Sequence, residues 1–264
     1  MENSIILNIV KEKDPRGHLW HYGHFIHDFI LPMIALLVNN KYDHVYLLVS
    51  HPWCSLGTFL PIGEKILGLK ITEIKPRETS LSLPIRTIKT LGFGPYNPIF
   101  FKSNISYIKN TLNITESPYK VILIERGESK LKNNITDTGF NRRHLNNHNQ
   151  IKNVLKNKYG QLFKNVILEN LSIDEQVSLF MNANIVIGQH GAGLCNIIWM
   201  NKPKPLVIEF PPYIVDTFMN MCKVKNFKYA RIEPNPQRVI EVCSRRMPHI
   251  KMNNINDINI KEAC

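Results

Sequence analysis

Apolar positions along this chain follow two rhythms. Short runs rich in β-branched residues, SIILNIV (4–10), HVYLLVS (44–50), KVILIER (120–126), NVILEN (165–170), NIVIG (184–188) and PLVIEF (205–210), have the length and composition of strands. Between them, apolar residues recur every three or four positions in GHFIHDFILPMIALLVNN (23–40), RHLNNHNQIKNVLKNKYG (143–160) and SIDEQVSLFMNA (172–183), as on one face of a helix. The last of these carries its own start signal, Ser172 as N-cap with Glu175 three residues on. A further helix is expected over LCNIIWMN (194–201). Strands interleaved with amphipathic helices predict the α/β class, with mainly parallel sheets covered by helices. No internal repeat is visible.

Glycine, proline and turn formers collect in LGFGPYNPIF (91–100) and NITESP (113–118), after which a clean strand begins at Lys120. This predicts two Rossmann-like domains, residues 1–115 and 116–235. Residues 236–264, basic at Arg238, Arg245, Arg246 and Lys251 and then Asn-rich, form a tail expected to pack back on the first domain or to end loose.

Composition narrows the class. A chain of 264 residues with 44% hydrophobic content can fill a real core, and its net charge of +12 suits an anionic partner: nucleic acid, a membrane surface or a small phosphorylated ligand. Dispersed lysines among many Asn and Ile residues also fit a plain compositional bias. The five cysteines form no CxxC pair, so reduced thiols are expected. The N-terminal apolar run is short and lacks a basic leader, and no run approaches the roughly 18 apolar residues of a membrane span. A cytoplasmic protein with no signal peptide or membrane anchor is therefore expected.

Candidate chemistry gathers at strand ends. In NIVIGQHGAGL, a strand meets a glycine turn and then a helix; Gly191 and Gly193 would let the backbone approach a phosphate and His190 could donate to it. An ordinary strand-to-helix turn explains the same residues. The pattern is neither GxxxxGK[ST] nor GxGxxG, which argues against an ATPase or a dehydrogenase. Arg126 follows the strand KVILIE, and Arg142 and Arg143 stand near the next helix. Their guanidinium forks suit a diphosphate, although Arg142 and Arg143 equally fit a solvated helix face. His18, His21, His24 and His27 recur every three residues, with Asp28 four after His24. On a helix, His24 and Asp28 share a face and could serve as a general base; a metal site or simple packing beside Trp20 and Phe25 are the competing readings, and HExxH is absent. No D-x-D occurs, which leaves the glycine turn and the arginines to neutralise a diphosphate without a metal. Glu209 ends the strand PLVIE, where an acid can accept from ribose hydroxyls or merely cap the surface.

Taken together, GHFIHDFILPMI, ILIERGESK followed by NRRHLNN, LENLSIDEQVSLFMNANIVIGQHGAGLCNIIWM and VIEFPP resemble glycosyltransferase family 61, in order and approximate spacing, from Gly23 to about Pro212. The resemblance implies a GT-B architecture, a donor held mainly by the second domain, and inverting transfer that requires no metal or other cofactor. It implies Asp28 or His24 as base, with Asp28 slightly preferred. The diphosphate site would be Arg126, one of Arg142 and Arg143, His190 and the Gly191, Ala192 and Gly193 backbone, with Glu209 on the ribose. The implied partners are a nucleotide-sugar donor, UDP by family resemblance, and a glycan or glycoconjugate acceptor for a hexosyl or pentosyl group. Two alternatives belong to other classes: a basic nucleic-acid-binding or processing protein, against which stands the lack of RNP-like aromatics and zinc-finger spacing, and a transferase-like module that binds glycans without catalysis.

Overall fold

The structure, a computed structural model, describes residues 3–11, 18–78, 82–90, 101, 104–126, 145–210 and 216–250. Two wholly parallel sheets follow one another along the chain. The first is built from β1 (Ser4–Lys11), β2 (His44–Leu48), β3 (Lys70–Ile74) and β4 (Ile85–Thr90), in the order β3-β2-β1-β4. Ile5, Ile6, Leu7 and Ile9 are all buried, so β1 has helices or loops on both faces, as parallel sheets require. The strands β3 and β4 were not foreseen. Both are edge strands with charged residues among their apolar ones, KITEI and IRTIKT, and β4 leaves Ile85 59% exposed.

The predicted helix over residues 23–40 is α1, residues 22–37. It is α-helical at Tyr22–His24, widens to a π-helix over Phe25–Ile30 and returns to α over Leu31–Leu37. In the wide turn the Leu31 amide donates to the Ile26 carbonyl five residues back. Two further helices pack in this lobe, α2 (Leu60–Leu67), stopped by Gly68 at φ +63°, and α3 (Asn104–Thr111), whose Tyr107 hydroxyl donates to the Leu67 carbonyl at 2.6 Å.

The second sheet comprises β5 (Val121–Glu125), β6 (Phe163–Ile167), β7 (Ile185–Gln189), β8 (Leu206–Phe210) and β9 (Lys228–Arg231), in the order β6-β5-β7-β8-β9. Every residue of β7 and β8 is buried, which is why both read as continuous apolar runs. Along β5 the side chains alternate: Ile122 and Ile124 join the core that continues through the first lobe, while Val121 and Leu123 face α4 (His148–Tyr159) and α7 (Pro236–Arg246). Helix α5 (Ile173–Asn182) has the predicted capping box, with Ser172 accepting from the Glu175 amide and Glu175 accepting from the Ser172 amide. The segment after the glycine turn is a 3-10 helix, Ala192–Trp199, and α6 (Thr217–Lys225) precedes β9.

Residues 236–246, expected as part of a tail, form a helix, α7. As α7 they place Val239, Val242 and Cys243 against Leu155 and Tyr159 of α4, because those apolar positions fall on one helical face and the second sheet offers the matching apolar surface. Residues 251–264 lie outside the described residues.

The two lobes share one apolar cluster and several polar contacts: Asn104 to the Ile198 carbonyl at 3.0 Å, Thr115 amide to Ser178 at 3.1 Å, and Lys65 to Asp174 at 2.5 Å. Cys54, Cys195, Cys222 and Cys243 are buried free thiols. Among the described residues, no helix is long and apolar enough to cross a membrane.

Candidate functional site

Sheet topology selects one edge. From β5 the chain moves to one side to form β6, then crosses to the other side to form β7, so the order reverses between β5 and β7. The crevice outside the carboxyl ends at such a reversal is where open α/β sheets bind ligands. Here Arg126 follows β5 and the glycine turn follows β7. Ile124, Glu125 and Arg126 line one pocket with Leu168, Glu169, Gln189 and residues 191–194. A helix start has amides with no partner inside the helix, and the 3-10 helix starts at Ala192 beside this pocket. Gly193 has a structural reason of its own: a Cβ there would meet Leu168 at 3.1 Å and Ile124 at 3.4 Å. Its missing side chain lets the turn sit down on the pocket floor.

His190 and Glu209 lie one strand further on. His190 does not line the Arg126 pocket; it turns toward β8, its Nδ1 bonded to Glu209 and its ring edge-to-face with Phe218 at 5.1 Å. Glu209 has no exposed surface. One carboxylate oxygen engages His190, and the other accepts from the Tyr229 hydroxyl, with Arg231 Nε at 3.9 Å. Arg231 in turn bonds Tyr229 at 3.2 Å and Asp216 at 3.1 Å. Glu209, expected on the ribose, is thus a fully buried carboxylate with one oxygen engaged by His190 and the other by Tyr229. Burial, with Glu209 adding to it, pushes the Tyr229 hydroxyl well above its ordinary value, so it stays a donor. With Nδ1 committed to the carboxylate, any ligand contact of His190 is made through Nε2.

A third cluster ties the glycine turn to the first lobe. Asn196 is fully buried; its Oδ1 accepts from the Tyr22 hydroxyl at 2.6 Å and from the Trp199 indole at 3.2 Å, and its Nδ2 reaches Gln176 and the Gly193 carbonyl, both at 3.3 Å. Gln176 itself holds the Leu168 and Leu171 carbonyls. Thus the first residue of α1 is bonded to the helix that the glycine turn opens.

The same α1 carries the candidate base. His24 Nδ1 lies 2.8 Å from Asp28 Oδ2, with His24 6% and Asp28 1% exposed. The two share a face, as their four-residue spacing predicts. His27 is buried as well, and desolvation lowers its pKa to about 4, assisted by His24 and opposed by Asp28. The histidine run is therefore split: His18 and His21 sit in the loop before α1, and His24 and His27 inside it. Among the described residues, no three His, Cys, Asp or Glu side chains group as a metal site would. Arg142 and Arg143 lie outside the described residues.

Sequence reasoning missed Tyr229, Arg231, Asp216, Asn196, Gln176 and Tyr22. Tyr229 and Arg231 act across strand neighbours that only the register reveals, Glu209 opposite Arg231 in β8 and β9, and Asp216 reaches Arg231 from the start of α6. Asn196 had a signal, as a polar residue inside an otherwise apolar helix.

Comparison with known proteins places these features in context. Two solved structures resemble the chain at 13% identity. One is the dodecameric iron-containing heptosyltransferase TibC in complex with ADP-D-beta-D-heptose, with a TM-score of 0.35, covering 88% of this chain and 62% of that one. The other is TibC from enterotoxigenic E. coli, with a TM-score of 0.32, covering 78% and 58%. The chain thus spans less than two thirds of the length of either. No curated protein matches it. The family model for Glycosyltransferase 61 matches residues 22–207, more than half of the sequence and the stretch that runs from Tyr22 through the glycine turn into β8. The chain belongs to glycosyltransferase family 61.

Proposed function

We propose that this protein is an inverting glycosyltransferase that moves a sugar from a nucleoside-diphosphate sugar, UDP foremost, to a hydroxyl of a glycan or glycoconjugate, with no divalent metal. The observation that carries this reading is the pocket shared by Arg126 and the Gly191–Gly193 turn at the reversal point of the second sheet. A guanidinium and helix-start amides together oppose the charge that develops on a departing diphosphate. His190, fixed through Nδ1 by Glu209, adds a donor from the neighbouring strand end when its Nε2 is protonated.

The base is the His24–Asp28 pair of the first lobe. Asp28 is the more enclosed of the two and is bonded to the ring, which favours His24 as the group that takes the acceptor's proton and Asp28 as the carboxylate that fixes its orientation. As the acceptor oxygen bonds the anomeric carbon, the bond to the diphosphate breaks on the opposite face, and the configuration inverts in one displacement. The Tyr22–Asn196 bond keeps the base-bearing helix in register with the turn.

A thermal-shift panel of UDP-, GDP-, CMP- and dTDP-sugars tests the reading. A ligand at a hundred times its Kd adds about 2.7 kcal/mol of stability, so a raised melting temperature with a UDP compound is the expected outcome. No shift with any member, alongside steeply salt-dependent binding to DNA or RNA, would overturn it.

A further inference from the structure

We propose that the loop surface around Trp20 is the acceptor platform and that it takes an uncharged pyranose, stacked on the indole. This rests on the proposed transfer and names the chemistry of its second substrate. Trp20 is 40% exposed, the one aromatic among the exposed large hydrophobic residues described. His18 backs its indole at 4.2 Å and 6° between planes, and His21 meets both rings edge-on, at 5.6 Å and 6.3 Å.

The surface is braced. The Leu19 amide donates to the Trp53 carbonyl at 2.9 Å, joining the loop before α1 to the loop after β2. That second loop is pinned by Glu73, which accepts from the Leu56 amide at 2.6 Å and from Ser55 at 3.1 Å. Gly57, at φ +55°, passes close to the base of the Trp20 side chain, where a Cβ would lie 3.4 Å from that of Trp20. A ring held in this way loses little freedom when a ligand covers it.

Three features select the ligand. Aromatic faces are electron-rich and attract the positively polarised C–H face of a pyranose. Residues 18–25 and 51–59 contain no Lys, Arg, Asp or Glu, on a chain with a net charge of +12, so the surface matches a neutral ligand and not an anionic one. His21, edge-on to the indole at 6.3 Å, extends the aromatic surface beside it. Its position suits the second substrate: Trp20 comes two residues before Tyr22, where α1 begins and meets Asn196, and His24 lies in the first turn of that helix.

Saturation-transfer NMR on the full chain tests this, with methyl β-glucoside, methyl β-galactoside and methyl β-xyloside as neutral probes and methyl β-glucuronoside as the charged one. The expected result is transfer to the ring C–H protons of at least one neutral glycoside, reduced roughly fivefold or more in Trp20→Ala and partly restored in Trp20→Phe. Both variants should keep the wild-type nucleotide-sugar thermal shift, which also reports that they fold. No transfer to any neutral glycoside, undiminished transfer in Trp20→Ala, or an equal signal from the glucuronoside would overturn the platform. A lost nucleotide-sugar shift in the wild type with glycoside binding intact would instead overturn the donor site.

Discussion

Each lobe holds a histidine–carboxylate pair, and the two are built in opposite ways. His24 and Asp28 are neighbours on one helix, four residues apart, 2.8 Å between Nδ1 and Oδ2. His190, in the turn after β7, and Glu209, in β8, are nineteen residues apart, and a tyrosine and an arginine back the carboxylate from the far side. The helical pair spans the start of the π-helix, with His24 in the turn before it and Asp28 inside it, a local irregularity common at functional sites. In the second pair Glu209 is fully buried, within a strand whose every residue is buried. Under the proposed transfer, the first pair exchanges a proton and the second only aims a ring.

The sharpest way to break the comparison is to remove each member in turn. His24→Ala is expected to lower turnover by roughly a hundredfold to ten-thousandfold while leaving the nucleotide-sugar thermal shift intact. Asp28→Asn should act in the same direction, and the double variant should be no slower than the slower single one, because a pair that works as a unit is not additive. Steady-state rates on the three proteins check this; additive losses would mean two independent roles. Glu209→Gln should behave differently. Breaking a buried charged network costs roughly 3–5 kcal/mol, so chemical denaturation should register it first, with nucleotide-sugar affinity falling as His190 loses its orientation.

A smaller effect distinguishes the lobes by pH. His27 is neutral when folded, with its pKa at about 4, and ordinary when unfolded, near 6.5. Above pH 6.5 neither state binds the proton and nothing changes. Between about 6.5 and 4 only the unfolded state does, so stability falls as the pH drops, by about 1.4 kcal/mol per unit and ~3 kcal/mol in all. Urea melts from pH 7 to 4.5 should show this slope, and His27→Leu should flatten it. A variant with the wild-type slope would place the acid sensitivity elsewhere.

What the sequence could disclose follows the same division between local and distant. The α/β class, the central strands β1, β5, β7 and β8, helix α1 and the capping box at Ser172 rest on contacts within a few residues, and each was readable. The His24–Asp28 pair belongs with them. The edge strands β3 and β4 were hidden because an edge tolerates charged residues that blur the apolar pattern. The partners of Glu209 were hidden because Tyr229 and Arg231 approach it only once β9 lies beside β8. The acid at the end of β8 was noticed, but its burial was not, because burial depends on the elements packed around the strand end. Helix α7 was read as a tail because its charge stood out more than the apolar face formed by Val239, Val242 and Cys243.

The central claim is that Arg126 and the 191–193 turn hold the donor's diphosphate. Isothermal titration of UDP into the wild-type protein and Arg126→Ala tests it most directly. Charge-assisted bonds to a diphosphate are worth roughly 1.5–3 kcal/mol, so the account predicts UDP affinity lower by about ten- to a hundredfold in a variant that melts like the wild type. An unchanged Kd in that variant would contradict it.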